Sequence, residues 1–160
     1  MGQRFNAYET SIYDFIKEIE IVCPNCSKRA KVSGLMRDPT VTRAVCTSCG
    51  FNKMLEETPS DSPHPWVSRV YFIAGQNDIG AIDPYFNYQL WYQKELRHGL
   101  LWAYNAEHLA LIEKHVSATL RERNLNNMRN NSLGSRLPKW LTAKKNREEI
   151  IAEILKLKLK

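Results

Sequence analysis

Alternation of apolar and polar residues dominates the first third of the chain. From Lys17 to Val22, Glu18 and Glu20 alternate with Ile19 and Ile21, which predicts a half-buried strand with the isoleucines inward. Lys28 to Val32 and Val41 to Val45 are the next strand candidates, joined by a turn near Gly34 to Pro39, and Phe51 to Glu56 is a short final one. Upstream, Thr10 or Ser11 is placed to cap a short turn through Tyr13, Phe15 and Ile16, whose apolar groups would pack on the next module. Further on, Trp66 to Ala74 is rich in Val, Tyr, Phe and Ile and closed by Gly75, the profile of a buried strand, and Asn77 to Pro84 reads as a loop. Leu90–Tyr92 and Leu100–Tyr104 flank a charged segment, Lys94 to His98, and predict a hairpin with Gly99 in its turn.

After Asn105 the period lengthens to that of a helix. Asn105 is a good N-cap, and Leu109, Ile112, Val116 and Leu120 recur at three- or four-residue steps, giving one apolar stripe through Arg123. The asparagine-rich stretch Asn124 to Asn131 breaks that helix, and Ser132 to Arg136 reads as a turn. Pro138 opens a short helix carrying Trp140 and Leu141 inward. Asn146-Arg147-Glu148-Glu149 resembles a capping box at the start of a last helix whose apolar side is Ile150, Ile151, Ile154 and Leu155. The expected class is α+β. Residues 58–65, with three prolines and three hydroxyl residues, read as a linker between a unit at 1–57 and one at 66–160.

Composition adds limits. Apolar content of 43% and charged content of 25% are ordinary for a globular chain. No run approaches the eighteen apolar residues of a membrane span, and the N-terminus lacks the apolar core of a secretory signal, so a cytoplasmic protein without a membrane partner is expected. The charge is unevenly placed. Residues 1–120 carry 12 Lys/Arg against 13 Asp/Glu, whereas residues 121–160 carry 11 against 4, so the balance of −1 and +7 puts the net +6 in the last quarter. Such a local concentration is the footprint of a polyanion partner, or else of a solvated helical face.

The chemistry lies in four cysteines. Cys23-Pro24-Asn25-Cys26 and Cys46-Thr47-Ser48-Cys49 are two C-x2-C turns separated by 19 residues. Each turn aims both sulfurs at one point, and two such turns supply the four ligands of a structural zinc site. No cysteine is left over for a disulfide or a nucleophile. Over residues 19–57 the chain resembles the zinc ribbon of transcription factors, polymerase subunits and ribosomal proteins. The resemblance implies a three-stranded antiparallel sheet, one structural Zn2+, and a surface that touches nucleic acid or protein. Leu101–Asn105 and Ser132–Trp140 are also similar to stretches of small bacterial zinc-ribbon proteins of no assigned activity, which implies a bacterial source and no mechanism. The two knuckles are broadly similar to those of rubredoxin, which binds a single iron. Here, however, the proline stands in the first knuckle and the intervening loop is shorter.

Nothing in the sequence points to catalysis. A four-thiolate ion has no open position for water or substrate, and no G-x-S-x-G elbow, P-loop or G-x-G-x-x-G is present. Asp78, Asp83, Glu95 and His98 are the acid–base residues an unrecognised site would use. His64 sits in the linker, and His108 and His115 lie two helical turns apart without an evident metal-ligating neighbour. The expected protein is therefore not an enzyme and takes no small-molecule substrate. Its leading expected partner is nucleic acid, through Lys139, Lys144, Lys145 and Arg147 together with Lys28, Arg29, Lys31 and Arg43 of the cysteine segment. The rival is a protein-interaction adaptor that docks through the ribbon edge or the aromatic hairpin. Seven of the 16 aromatic residues fall between Tyr85 and Tyr104, where they fill a core if buried and stack on bases if exposed; burial is the expectation.

Overall fold

The computed structural model describes residues 4–5, 10–35, 38–56, 81–118, 120–121 and 137–160. The expected linker, the strand Trp66 to Ala74, His64, Asp78, the asparagine-rich break and the Ser132 to Arg136 turn lie outside them. The strands are β1 (Arg4–Phe5), β2 (Glu18–Val22), β3 (Arg29–Leu35), β4 (Asp38–Val45), β5 (Asn52–Met54), β6 (Tyr92–Leu96), β7 (Gly99–Ala103) and β8 (Leu120–Arg121). The helices are α1 (Ala106–Ser117), α2 (Lys139–Thr142) and α3 (Arg147–Lys158), with 3-10 turns at Ile12–Phe15 and Lys144–Asn146. Strands and helices together make the chain α+β.

Strands β2 to β5 form an antiparallel meander in chain order, four strands where the resemblance implies three. Strand β2 is the extra member. It pairs along its whole length with β3, from Glu18 opposite Ser33 to Val22 opposite Arg29. The β3–β4 ribbon is longer than the alternation predicts, because pairing continues to Leu35 opposite Asp38 beyond an irregularity between Ser33 and Leu35. Ile19, Val32 and Ala44 stand opposite one another and are each 0% exposed, so one face of the sheet is core. Glu20 departs from the expected polar-out pattern. It is only 8% exposed and lies beside Tyr92, whose ionisation burial and then the Glu20 carboxylate push up.

The segment after residue 80 closes over the outer edge of β2. Val22 N–H donates to the Gln89 carbonyl (2.8 Å), Trp91 N–H to that of Glu20 (2.9 Å), and Glu20 N–H to that of Tyr104 (2.7 Å). Ala81, Tyr85, Leu90 and Tyr104 join Phe15, Ile16, Ile19 and Ile21 in one apolar cluster. The loop that delivers them is built on Asp83, which is fully buried. Its carboxylate accepts from the amides of Tyr85 (2.9 Å), Phe86 (2.8 Å) and Tyr88 (2.6 Å). Tyr85 then donates its hydroxyl to the Ile16 carbonyl at 3.0 Å, and burial, with the Asp83 charge second, pushes its ionisation up to about 12.

A second apolar cluster lies between the β6–β7 hairpin and the helices. Leu109, Ile112 and Val116 of α1 meet Ile150, Ile154 and Leu157 of α3 there. The expected stripe on α3 is corrected at one position: Leu155 is 50% exposed and Leu157 is buried, as the i, i+4, i+7 spacing from Ile150 requires. Helix α1 ends at Ser117 rather than Arg123, because Ala118 is extended and Leu120–Arg121 pairs in parallel with β1. The hairpin turns at Arg97–His98, and Gly99 is the first residue of β7. Glycine is needed there: its φ is +146°, and an added Cβ would lie 2.8 Å from Trp140 Nε1.

Two caps behave differently. Asn105 caps α1 as expected, its Oδ1 accepting from His108 N–H at 2.8 Å, and its Nδ2 also donates to the Phe15 and Glu18 carbonyls. Asn146 makes no capping bond. The 3-10 turn before it already holds it in a helical conformation, so its side chain donates instead to the Trp140 carbonyl (2.8 Å). Glu149 reaches Arg97 rather than the cap amide. Ser11 completes a capping box with Asp14 at the first 3-10 turn.

Candidate metal centre

Each knuckle is the bend between two paired strands. Strand β2 ends at Val22, one residue before the first pair, and β4 ends at Val45, one residue before the second. The two bends are closed by the same bonds. Ser27 N–H donates to Cys23 O (2.9 Å) and Cys23 N–H to Lys28 O (2.8 Å); Gly50 N–H donates to Cys46 O (3.0 Å) and Cys46 N–H to Phe51 O (2.8 Å). Both bends require a left-handed residue just after the second cysteine, Ser27 at φ 59° and Gly50 at φ 75°. Glycine adopts that conformation freely, whereas an L-residue such as serine pays about 1 kcal/mol or more.

This geometry brings the four sulfurs together. All lie within 4.8 Å of one another, with Cys23–Cys49 and Cys26–Cys46 at 3.7 Å. A disulfide would need about 2.05 Å. A tetrahedral ion with bonds of about 2.3 Å has sulfur–sulfur edges of about 3.8 Å, which the Cys23–Cys49 and Cys26–Cys46 pairs match. Cys23 and Cys46 are buried in the sheet core, Cys26 is half-buried and Cys49 exposed.

Backbone amides surround the sulfurs in a repeated pattern. Asn25 N–H points at Cys23 Sγ (3.4 Å), Lys28 at Cys26, Ser48 and Cys49 at Cys46, and Phe51 at Cys49. Asn25 and then the Phe51 amide lower the Cys49 thiol to about 6. Burial opposes ionisation of Cys46, but the Cys49 and Ser48 amides together with the Cys26 and Cys23 sulfurs outweigh it and lower that thiol too. Cys26 is pushed up to about 12: the Lys28 amide favours its thiolate, and burial with the three neighbouring sulfurs outweighs that amide. Four thiolates this close conflict unless a cation sits among them, and a divalent ion removes the conflict. The site can hold a metal through Cys23, Cys26, Cys46 and Cys49.

The basic candidates divide into two groups. Lys144, Lys145 and Arg147 line one open notch of about 540 Å³ with Glu148, where the 3-10 turn runs into α3. Lys139 is exposed on α2 and lies outside the notch lining. Lys28 is exposed at the first knuckle, and Arg29, Lys31 and Arg43 are exposed on the sheet, with Lys31 paired to Glu18 at 2.6 Å.

Asp83 and His108 hold parts of the fold together. Asp83 is committed to its three amides, and Glu95 and His98 are separated from it on the hairpin. The aromatic residues turn inward: Tyr85, Tyr92 and Tyr104 are buried, and Phe86, Tyr88 and Trp102 pack on the sheet core. His108 stacks on Phe15 at 4.7 Å and accepts from Tyr104 N–H at Nδ1 (3.2 Å). Its complete burial lowers its pKa to about 3. Neutral His108 therefore contributes stability that is present above its ordinary pKa of 6.5 and is lost as pH falls towards 3, at most about 1.4 kcal/mol per unit. His108→Asn, which keeps an acceptor near the Nδ1 position, should flatten the pH dependence of urea unfolding between pH 6 and 4. An unchanged slope would place the acid sensitivity elsewhere.

Among the described residues no helix is long and apolar enough to cross a membrane. No protein-family model, curated protein or solved structure matches the chain.

Proposed function

We propose that the chain is a non-catalytic zinc protein that binds nucleic acid, with one structural Zn2+ on Cys23, Cys26, Cys46 and Cys49 and a phosphate-contacting surface at the start of α3. The zinc assignment is supported by the four-sulfur donor set, the 3.7 Å edges and the amides that favour thiolates. Four thiolates fill a tetrahedral shell, so the ion would act through folding rather than by activating water. Metal analysis separates zinc from the single iron of a rubredoxin-like centre, which would colour the protein red.

The nucleic-acid reading is supported by one observation: Lys144, Lys145 and Arg147, near neighbours in the chain, line a single notch together with Glu148. Phosphate is the anion such a surface meets most often along a polymer, and the amino end of α3 adds its own positive potential. Arg29, Lys31 and Arg43 would add positive field at longer range. With Lys139 included, neutralising about four phosphates of a duplex gives a slope of log affinity against log salt near −3.6. The double reversal Lys144→Glu/Lys145→Glu should bring that slope to about −1.8 or weaker in a mobility-shift titration. A slope that the double variant leaves unchanged removes the notch from the binding surface.

A further inference from the structure

We infer, on the reading of the four sulfurs as a zinc shell, that Cys49 is a site of peroxide oxidation whose oxidised sulfur is captured by Cys23. Cys26 and Cys46 form a second pair of the same kind, so two disulfides between the bends take the place of the ion. Each bend contributes one covered sulfur and one accessible one. The first cysteines, Cys23 and Cys46, are 1% and 0% exposed and belong to the sheet core. The second cysteines are open to different degrees, Cys26 half-buried and Cys49 exposed. The sulfur contacts of 3.7 Å cross from one bend to the other, Cys23 to Cys49 and Cys26 to Cys46. Each accessible sulfur therefore has a buried sulfur of the opposite bend beside it. An accessible cysteine next to a second sulfur that can resolve it is the arrangement of reversible thiol oxidation.

Hydrogen peroxide is the oxidant, and it meets Cys49 first because that sulfur is the exposed one. Cys49 Sγ attacks one peroxide oxygen: an S–O bond forms, the O–O bond breaks, and the departing hydroxide takes a proton from solvent to give water. Cys23 Sγ then attacks the Cys49 sulfur: the S–S bond forms, the S–O bond breaks, and the second hydroxide also leaves as water. The two sulfurs lose two electrons and the peroxide gains them. Closing the 3.7 Å gap to the about 2.05 Å of a disulfide is a relative shift of about 1.7 Å, which rotation about the two Cα–Cβ bonds can share. The first bridge leaves only two thiolates for the ion, too few for a structural shell, so the metal departs. Cys26 and Cys46 then close in the same way, since the two pairs have no sulfur in common. Taken alone, the C-x2-C spacing would suggest bridges inside each turn. Bridges across the bends instead join the β2–β3 end of the sheet to the β4–β5 end, where the ion would join them, so the sheet stays closed without metal.

The test uses the unaltered zinc-loaded chain, so no variant has to fold. Metal content is measured first, and hydrogen peroxide is then added up to about two equivalents, the amount two disulfides consume. Released zinc is followed with a chromogenic chelator, remaining thiols are blocked, and a digest made without reductant is mapped by mass spectrometry. The expected first bridge is Cys23–Cys49, formed in step with zinc release, and the second is Cys26–Cys46. A thiol reductant with added zinc should reverse both, and the oxidised, metal-free protein should keep slow amide exchange across residues 18–54. Bridges of Cys23 to Cys26 or of Cys46 to Cys49, oxidation that stops at sulfinic or sulfonic acid, or zinc retained in excess peroxide would each overturn the inference. The metal content before peroxide is a separate reading: a preparation without metal counts against the zinc shell, whereas the bridge map alone decides the pairing.

Discussion

Cys46→Ser is expected to abolish the folded sheet β2–β5. Cys46 and Cys23 belong to the same buried cluster as Ile19, Val32 and Ala44, so the centre is continuous with the core it supports. Structural zinc in finger peptides contributes an apparent 10–16 kcal/mol, comparable to or larger than the whole 5–15 kcal/mol stability of an ordinary domain. A serine hydroxyl is a poor zinc ligand and leaves Cys26, already the thiol hardest to ionise, without the ion that would hold its charge. The observable is amide hydrogen exchange across residues 18–54, read together with the metal-to-protein ratio. The parent should hold one zinc per chain and protect this segment, and the variant or a strong chelator should remove both. The cluster of Leu109, Ile112, Ile150 and Ile154 does not contain the centre and should keep more of its protection. A chelator-treated parent whose sheet exchanges as slowly as before would contradict a structural ion.

Asp83→Ala should destabilise the metal-loaded protein by about 4 kcal/mol in denaturant unfolding. It would strand the amides of Tyr85, Phe86 and Tyr88 in a buried loop, where each unsatisfied group costs about 1–3 kcal/mol. The loop also positions Tyr85 on the Ile16 carbonyl and Leu90 beside Ile21, so the damage reaches the joint between the sheet and the later segment. Asp83→Asn should fall between the two, since its amide group presents a donor to one of those N–H groups. A loss below about 1 kcal/mol for the alanine variant would show that the loop holds by packing alone.

Much of the candidate centre is readable from the primary structure. The C-x2-C spacing specifies two sulfur-bearing turns, and the alternation of Glu18 to Val22 specifies which face of the adjoining strand is apolar. Gly50 announces the left-handed residue of the second bend. Its counterpart Ser27 does not, because serine carries no such signal and the bend imposes the conformation on it. The Asn105 cap and the α1 stripe are likewise local, and both appear. The capping box at Asn146 fails for an equally local reason: a 3-10 turn precedes it and consumes the conformation a cap requires.

Spacing and alternation thus establish where the chain bends around its cysteines and which side of each strand or helix is apolar, since those properties depend on neighbours a few positions away. They do not establish the roles of Asp83, Glu20 or the second amide hydrogen of Asn105. Each of those groups finds its surroundings by burial or by a partner elsewhere in the fold: Tyr92 beside Glu20, the Phe15 carbonyl for Asn105 across 90 positions. The exposure of Val41 and Met54 beside Arg43 arises in the same way. Which polar group is covered and which apolar group is left bare depends on how the layers stack, and only the folded chain sets that.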